Sequence, residues 1–225
     1  WRTVNWMPGL QRPWPEGRFY GYDRYGDAEH IGYRGPAFGY WRIPDQASMA
    51  LLHAQELAAP PGTRAPRFMV FATLASHAPF RPLPPYVSDW DKLAGSEAYT
   101  PAEVARSLAA PVSWQAPVPA YLEALGYTFE WLGDYLEHRA PRQLLTIMIG
   151  DHQPLASVSG AGASWDVPVH IISSDAALLQ RFEAAGFRPG LLPQEGPAPM
   201  RMEALTRLLL AVFDGSPARL PGTGE

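Results

Sequence analysis

Three short apolar runs constrain this chain more than any other feature: residues 67–74 (RFMVFATL), 144–150 (LLTIMIG) and 167–173 (VPVHIIS), each bounded by turn residues. Runs of this length without polar alternation suit strands covered on both faces, the pattern of buried parallel sheets. Helical patterns separate them. Between 119 and 138, Tyr121, Leu122, Leu125, Phe129, Leu132 and Leu136 recur at three- and four-residue spacing, which predicts a long amphipathic helix lying against a sheet. Thr100-Pro101-Ala102-Glu103 opens another helix with a capping box and a proline in its first turn. Residues 45–57 read as a helix with Asp45 as N-cap and Met49, Leu52 and Leu57 as apolar contacts; further helices over 175–185 and 200–213 stop before Gly186 and Gly215. The first 44 residues, crowded with Gly, Pro, Trp and Tyr, read as loops with short strands. Strands alternating with helices give an α/β fold, a layered α/β/α sandwich around a mostly parallel central sheet, expected as one domain over 1–225.

Composition narrows the chemistry. A net charge of -4 gives no basic surface for neutralising phosphates, so nucleic acid is not an expected partner. The absence of cysteine removes disulfides, thiolate metal sites and a cysteine nucleophile. No run approaches the roughly 18 apolar residues that span a bilayer, and no signal segment opens the chain. The sequence begins at Trp1 inside what reads as structured chain, so an upstream segment is expected.

In open α/β sheets, ligands gather beyond the carboxyl ends of strands, and two of the apolar runs end in imidazole chemistry. Residues 67–74 lead into Ala75-Ser76-His77-Ala78-Pro79-Phe80, and 144–150 into Asp151-His152-Gln153-Pro154. Gly150 permits a turn that aims Asp151 and His152 at one point. A carboxylate beside an imidazole suits a divalent cation; mixed oxygen and nitrogen ligands suit zinc or manganese, whereas an all-oxygen shell would favour calcium or magnesium.

Gly150-Asp151-His152 after an apolar strand resembles the Asp-His motif of sulfatases, lipoteichoic acid synthases and phosphoethanolamine transferases, in the alkaline phosphatase superfamily. Ser76-His77-Ala78-Pro79-Phe80 is similar to the Ser/Asn-His-x-Pro-Phe element of those phosphotransferases, Gly21-Tyr22-Asp23 to their Gly-Phe-Asp, and Val167-Pro168-Val169 to the Val-Pro strand closing their core. The resemblance runs over nearly the whole chain. It implies an alkaline-phosphatase-like fold in which Asp151 and His152 hold a divalent metal and His77 contacts the substrate oxyanion. Trp14 and Arg18, within Trp14-Pro15-Glu16-Gly17-Arg18, stand where the lipoteichoic acid synthases carry a Phe-Trp-Asn-Arg element that binds the phosphate group, though with different spacing. The usual Asp-His-Gly reads Asp-His-Gln here.

The family's nucleophile and its further acidic ligand lie upstream of all these motifs and have no match in the chain; Thr3 is not assigned that role. The expectation is a metal-dependent phosphoryl- or sulfuryl-ester hydrolase or transferase domain, lacking its nucleophile segment and inactive as this piece. The resemblance also implies a phosphate or sulfate ester substrate, lipid- or envelope-linked, a membrane tether carried only by an upstream segment, and a setting outside the cytoplasm, at the periplasmic face of the inner membrane. The alternative is a non-catalytic binding or scaffolding domain of the same descent, with Trp14, Tyr20, Tyr22 and Trp41 as its recognition surface. His170, inside an apolar strand, reads as a core histidine, and His138 as complementing a helix dipole. His30 and His53 read as structural or exposed. Ser159-Gly160-Ala161-Gly162 lacks the lysine and the strand-to-helix frame of a P-loop.

Overall fold

The computed structural model describes residues 1–12, 14–39, 42–60, 62–193, 198 and 200–215. The chain is a mixed α/β protein with a parallel sheet and packed helices. Within the span expected as one domain, contacts gather into two compact units, Trp1–Ala140 with Pro154–Ala161, and Pro141–Gln153 with Gly162–Glu225.

The first unit is built on three parallel strands, β1 (Arg2–Trp6), β2 (Arg24–Gly26) and β3 (Arg67–Phe71), in the order β2-β1-β3. The chain therefore crosses over β1 between β2 and β3, and α1 (Asp45–Leu52) makes that crossing. Trp6, fully buried at the end of β1, joins helix to sheet: its indole N–H donates to Ser48 Oγ at 2.9 Å and Ser48 O at 3.1 Å. The partner of Trp6 in β2 is Gly26, and a β-carbon there would lie 2.4 Å from the indole ring, so only glycine admits this packing.

A π-helical turn, His53–Leu57, follows α1 and carries the buried Glu56. Its carboxylate accepts from Arg2 Nε at 2.9 Å, from Arg24 at 3.0 Å and from Arg67 Nε at 3.1 Å. These are the first residues of β1, β2 and β3, so one carboxylate gathers the amino ends of the whole parallel sheet. At the same edge, Asp23 accepts from Thr3 N at 2.7 Å and Thr3 Oγ1 at 2.9 Å. The Gly21-Tyr22-Asp23 motif thus lies at the opposite end of the strands from His77.

The capping box forms as expected at α2 (Pro101–Leu108), with Thr100 and Glu103 bonding reciprocally. Helix α3 (Val118–His138) also forms where the spacing predicts it and meets the sheet through Trp131, whose ring lies 6.2 Å from that of Phe71. The buried face differs. It runs Ala124, Tyr127, Trp131 and Tyr135, while the expected Leu122 and Phe129 are 59% and 49% exposed. The stripe is turned by roughly a third of a revolution, because aromatic residues with polar tips occupy the interior face.

In the second unit, β4 (Leu145–Ile149) and β5 (Val169–Ser173) pair antiparallel, with Leu145 opposite Ser173 and Ile149 opposite Val169. This corrects the expectation of two buried parallel strands. Apolar content reports contact with a core but not strand direction, and the one helix between them, α4 (Ala156–Ser159), has only four residues, too few for a crossover. The pair is half-buried, and α5 (Ala176–Ala184) and α6 (Ala204–Asp214) pack beside it through Phe182, Ala185, Leu208 and Val212. Asp175 caps α5 on Leu178 N at 3.0 Å, and Gly215 ends α6 in the left-handed region. No helix among the described residues is long and apolar enough to cross a membrane.

Hydrogen bonds from Arg2 and Arg24 hold the Glu56 carboxyl at about 2, far below its ordinary value. The folded state therefore releases this proton at lower pH than the unfolded chain, and the stability it confers is present above about pH 4.5 and is lost as pH falls towards 2. Glu56→Gln is expected to cost roughly 3–5 kcal/mol, since it strands three arginines around a neutral group, and to flatten this acid limb in urea melts measured from pH 2 to 5.

Candidate functional site

The two strand tips singled out in the sequence lie in different units, His77 in the first and Asp151 with His152 in the second.

At the β3 tip the organising residue is Asp45. It is not the N-cap of α1; Pro44 takes that position, and Asp45 sits one residue inside the helix with its side chain turned to the strand exit. The carboxylate is 2% exposed and accepts from Leu74 N at 2.9 and 3.0 Å and from Ala75 N at 2.8 Å. Backbone bonds then fold the loop: His77 N donates to Leu74 O at 2.9 Å, and Phe80 N to His77 O at 2.9 Å. Phe80 closes it in the left-handed region, φ 64°, with its ring buried 5.2 Å from Tyr121. A bulky residue keeps that backbone conformation only where its surroundings enforce it. Arg81, next in the chain, pairs with Glu123 of α3.

His77 itself is exposed. Its Nδ1 lies 2.7 Å from Ala78 O, and since a carbonyl only accepts, Nδ1 carries the proton. A second N–H, at Nε2, then exists only in the imidazolium form. Among the groups the sequence reading did not single out, Gln46 is fully buried and clasps Val87 through both of its amide atoms, at 2.7 and 3.0 Å. Asp45 signalled a helix start, and nothing in the sequence marked its carboxylate as the anchor of a loop 30 residues away.

At the β4 tip, Gly150 N donates to Pro168 O at 3.2 Å, and a β-carbon at Gly150 would meet Val167 at 3.1 Å. The glycine lets the chain turn beside β5. Asp151 Oδ1 accepts from His152 N at 3.0 Å, and its Oδ2 lies 3.4 Å from His152 Nε2. His152 Nδ1 lies 2.8 Å from Gln153 O, so a proton again sits on Nδ1, and Nε2 faces the carboxylate. Gln153 is itself bonded to Asp166 O. Both side chains are well exposed, Asp151 at 88% and His152 at 63%. Among the described residues no cluster of three or more His, Asp or Glu side chains is arranged to hold a metal ion.

Trp14 stands at the N-cap of a 3-10 turn, Pro15–Tyr20, and Arg18 lies within that turn. Trp14 lies flat on Gly17, where a β-carbon would meet its ring at 2.6 Å, and its ring neighbours are Tyr20 at 5.7 Å and Tyr25 at 6.5 Å. Arg18 is exposed. Phe19 and Tyr20, 90% and 60% exposed, continue this aromatic surface to Tyr22; Trp41 lies outside the described residues. Three further histidines have partners: His30 on Asp27 at 2.7 Å, His53 on the Tyr135 hydroxyl at 3.1 Å and His138 on Asp134 at 3.1 Å.

Burial pushes the Asp45 carboxyl up to about 6, against the opposing pull of the two N–H donors. The charged and titratable groups around it are Tyr99 and Tyr127, both buried tyrosines, and Arg81, which shares its cleft. The folded state keeps this proton to higher pH than the unfolded chain, so stability falls as pH rises from about 4 to about 6. Asp45→Asn, which cannot ionise, is expected to lack this decline of ~2–3 kcal/mol, read by denaturant melts across that window.

No family model matches the chain, and no curated protein matches it. Among solved structures, the chain is similar to the crystal structure of a protein in the alkaline phosphatase superfamily from Vibrio parahaemolyticus, at 19% identity and a TM-score of 0.41 over 77% of this chain. The chain spans 38% of the length of that protein.

Proposed function

We propose that this chain is part of a metal-dependent catalytic domain that transfers or hydrolyses phosphoryl or sulfuryl esters. The observation that carries the reading is the tip of β4. There Asp151 Oδ2 and His152 Nε2 stand 3.4 Å apart, and bonds of about 2.1 Å to a tetrahedral cation require a ligand separation of about 3.4 Å. The bond from His152 Nδ1 to a backbone carbonyl supports the same reading, because metal-ligating histidines characteristically donate their second N–H in this way, which fixes ring and tautomer. The donor set suits zinc or manganese, with calcium or magnesium accommodated if further oxygens complete the shell.

In this reading Asp151 and His152 would hold the cation, which would supply Lewis acidity toward the ester oxygens. His77, as imidazolium, donates from Nε2 to a nonbridging oxygen while its Nδ1–H stays on Ala78 O. Arg18 adds charge for the same anion, and Trp14, fixed against Gly17, bounds the substrate's approach. The reading requires a nucleophile and further metal ligands beyond the residues named here. By resemblance, the substrate is a lipid- or envelope-linked ester and the setting the periplasmic face of the inner membrane.

Zinc titration of the chain by calorimetry is the direct test. The wild type is expected to bind at one site, and Asp151→Ala to weaken binding by about 10- to 100-fold, since it removes one of two donors. Equal zinc content in wild type and variant by elemental analysis would overturn the metal site.

One observation favours a second reading, a non-catalytic binding domain: the exposed rings of Phe19 and Tyr20, continued by the half-buried Trp14 and Tyr22. Both readings expect little or no turnover of aryl phosphate or aryl sulfate esters by the 225-residue chain. Sustained turnover in a chromogenic assay would show that the nucleophile lies within it.

A further inference from the structure

We infer that Asp45 is the positioning residue of the β3 tip: by gripping the backbone N–H groups of Leu74 and Ala75 it holds His77 in one presentation. The inference rests on the reading of His77 as the group that meets the substrate oxyanion.

A buried carboxylate is a costly way to satisfy backbone donors, because desolvation of the charge opposes it and a neutral amide or hydroxyl would serve a plain helix cap. Asp45 nevertheless spends both oxygens on two successive N–H groups of a loop remote in sequence, not on its own helix. Leu74 is the hinge of the arrangement: its N–H is held by Asp45, and its carbonyl accepts His77 N at 2.9 Å. From His77 the order continues through its own ring to Ala78 O at 2.7 Å, and through its carbonyl to Phe80 N at 2.9 Å. Phe80 supplies the far anchor with a buried ring and a left-handed backbone. The segment 74–80 is thus clamped at both ends while its middle residue stays exposed. A loop that only joins β3 to the next element needs neither a buried carboxylate nor a strained phenylalanine. One that presents an imidazole at a fixed angle needs both.

The test uses the isotope-labelled 225-residue chain and inorganic phosphate as probe, followed by NMR of the His77 imidazole, with amide hydrogen exchange at Leu74, Ala75 and, as control, Val4 of β1. Asp45→Ala is expected to raise exchange at Leu74 and Ala75 about tenfold or more without changing Val4, and to weaken phosphate binding at His77 about tenfold. Asp45→Asn, which keeps one acceptor oxygen, should recover part of that affinity. Unchanged phosphate affinity in Asp45→Ala, with exchange raised, overturns the inference and leaves Asp45 a role in the fold alone. If Val4 loses protection in Asp45→Ala, Asp45→Asn carries the comparison with the same two outcomes. A wild-type His77 that ignores phosphate removes the oxyanion reading itself, a failure visible before any substitution is made.

Discussion

The first unit depends on a single buried carboxylate. Parallel strands share no hairpin, so their amino ends must be brought together by something other than local chain connectivity. Glu56 does this by taking one guanidinium from each strand: Arg2, Arg24 and Arg67. The geometry also resists slippage. Moving any strand by one residue would turn its arginine to the other face and leave the carboxylate short of a partner. Trp6 performs the apolar half of the same task at the other end of β1, closed in by Gly26 on one side and Ser48 on the other.

Locking the amino edge with charge leaves the carboxyl edge available for loops that need not hold the sheet together, and the β3 tip shows what such a loop can carry. Two buried carboxylates then illustrate how partners decide the state of one functional group. Glu56, surrounded by guanidinium ions, is held at about 2; Asp45, met only by neutral amide N–H groups, is pushed up to about 6 by burial. Both have lost their water. Only the first has gained opposite charge in exchange, which is why desolvation wins at Asp45 and loses at Glu56.

Much of this was legible in the sequence, and the failures have definite physical causes. The strand at 67–71, the capping box on Thr100, and the glycine stops at Gly186 and Gly215 rest on local chemistry, where a few neighbouring residues settle the outcome. The direction of β4 and β5 does not, since the same apolar run serves either pairing. The inward face of α3 follows Tyr127, Trp131 and Tyr135 and not its leucine spacing, because aromatic rings bury more area and here fill the interior. Glu56 and Asp45 were invisible as anchors for a further reason: their partners lie as far as 54 and 30 residues away, and no spacing rule links them. The histidines at the strand tips could be found, but the carboxylate that orders one of them could not.

The two strand tips also share a device that the sequence only hinted at. In each, a histidine turns its Nδ1 onto the carbonyl of the next residue, Ala78 at 2.7 Å and Gln153 at 2.8 Å, so the proton is committed to Nδ1 and the chemistry is left to Nε2. What Nε2 can then do is set by its neighbours. At the β4 tip Nε2 faces the Asp151 carboxylate at 3.4 Å. At the β3 tip the ring is exposed, and with Nδ1 donating to Ala78 O any hydrogen bond it makes outward runs through Nε2. One backbone device thus fixes the tautomer at both tips and leaves Nε2 as the ring atom whose surroundings differ between them.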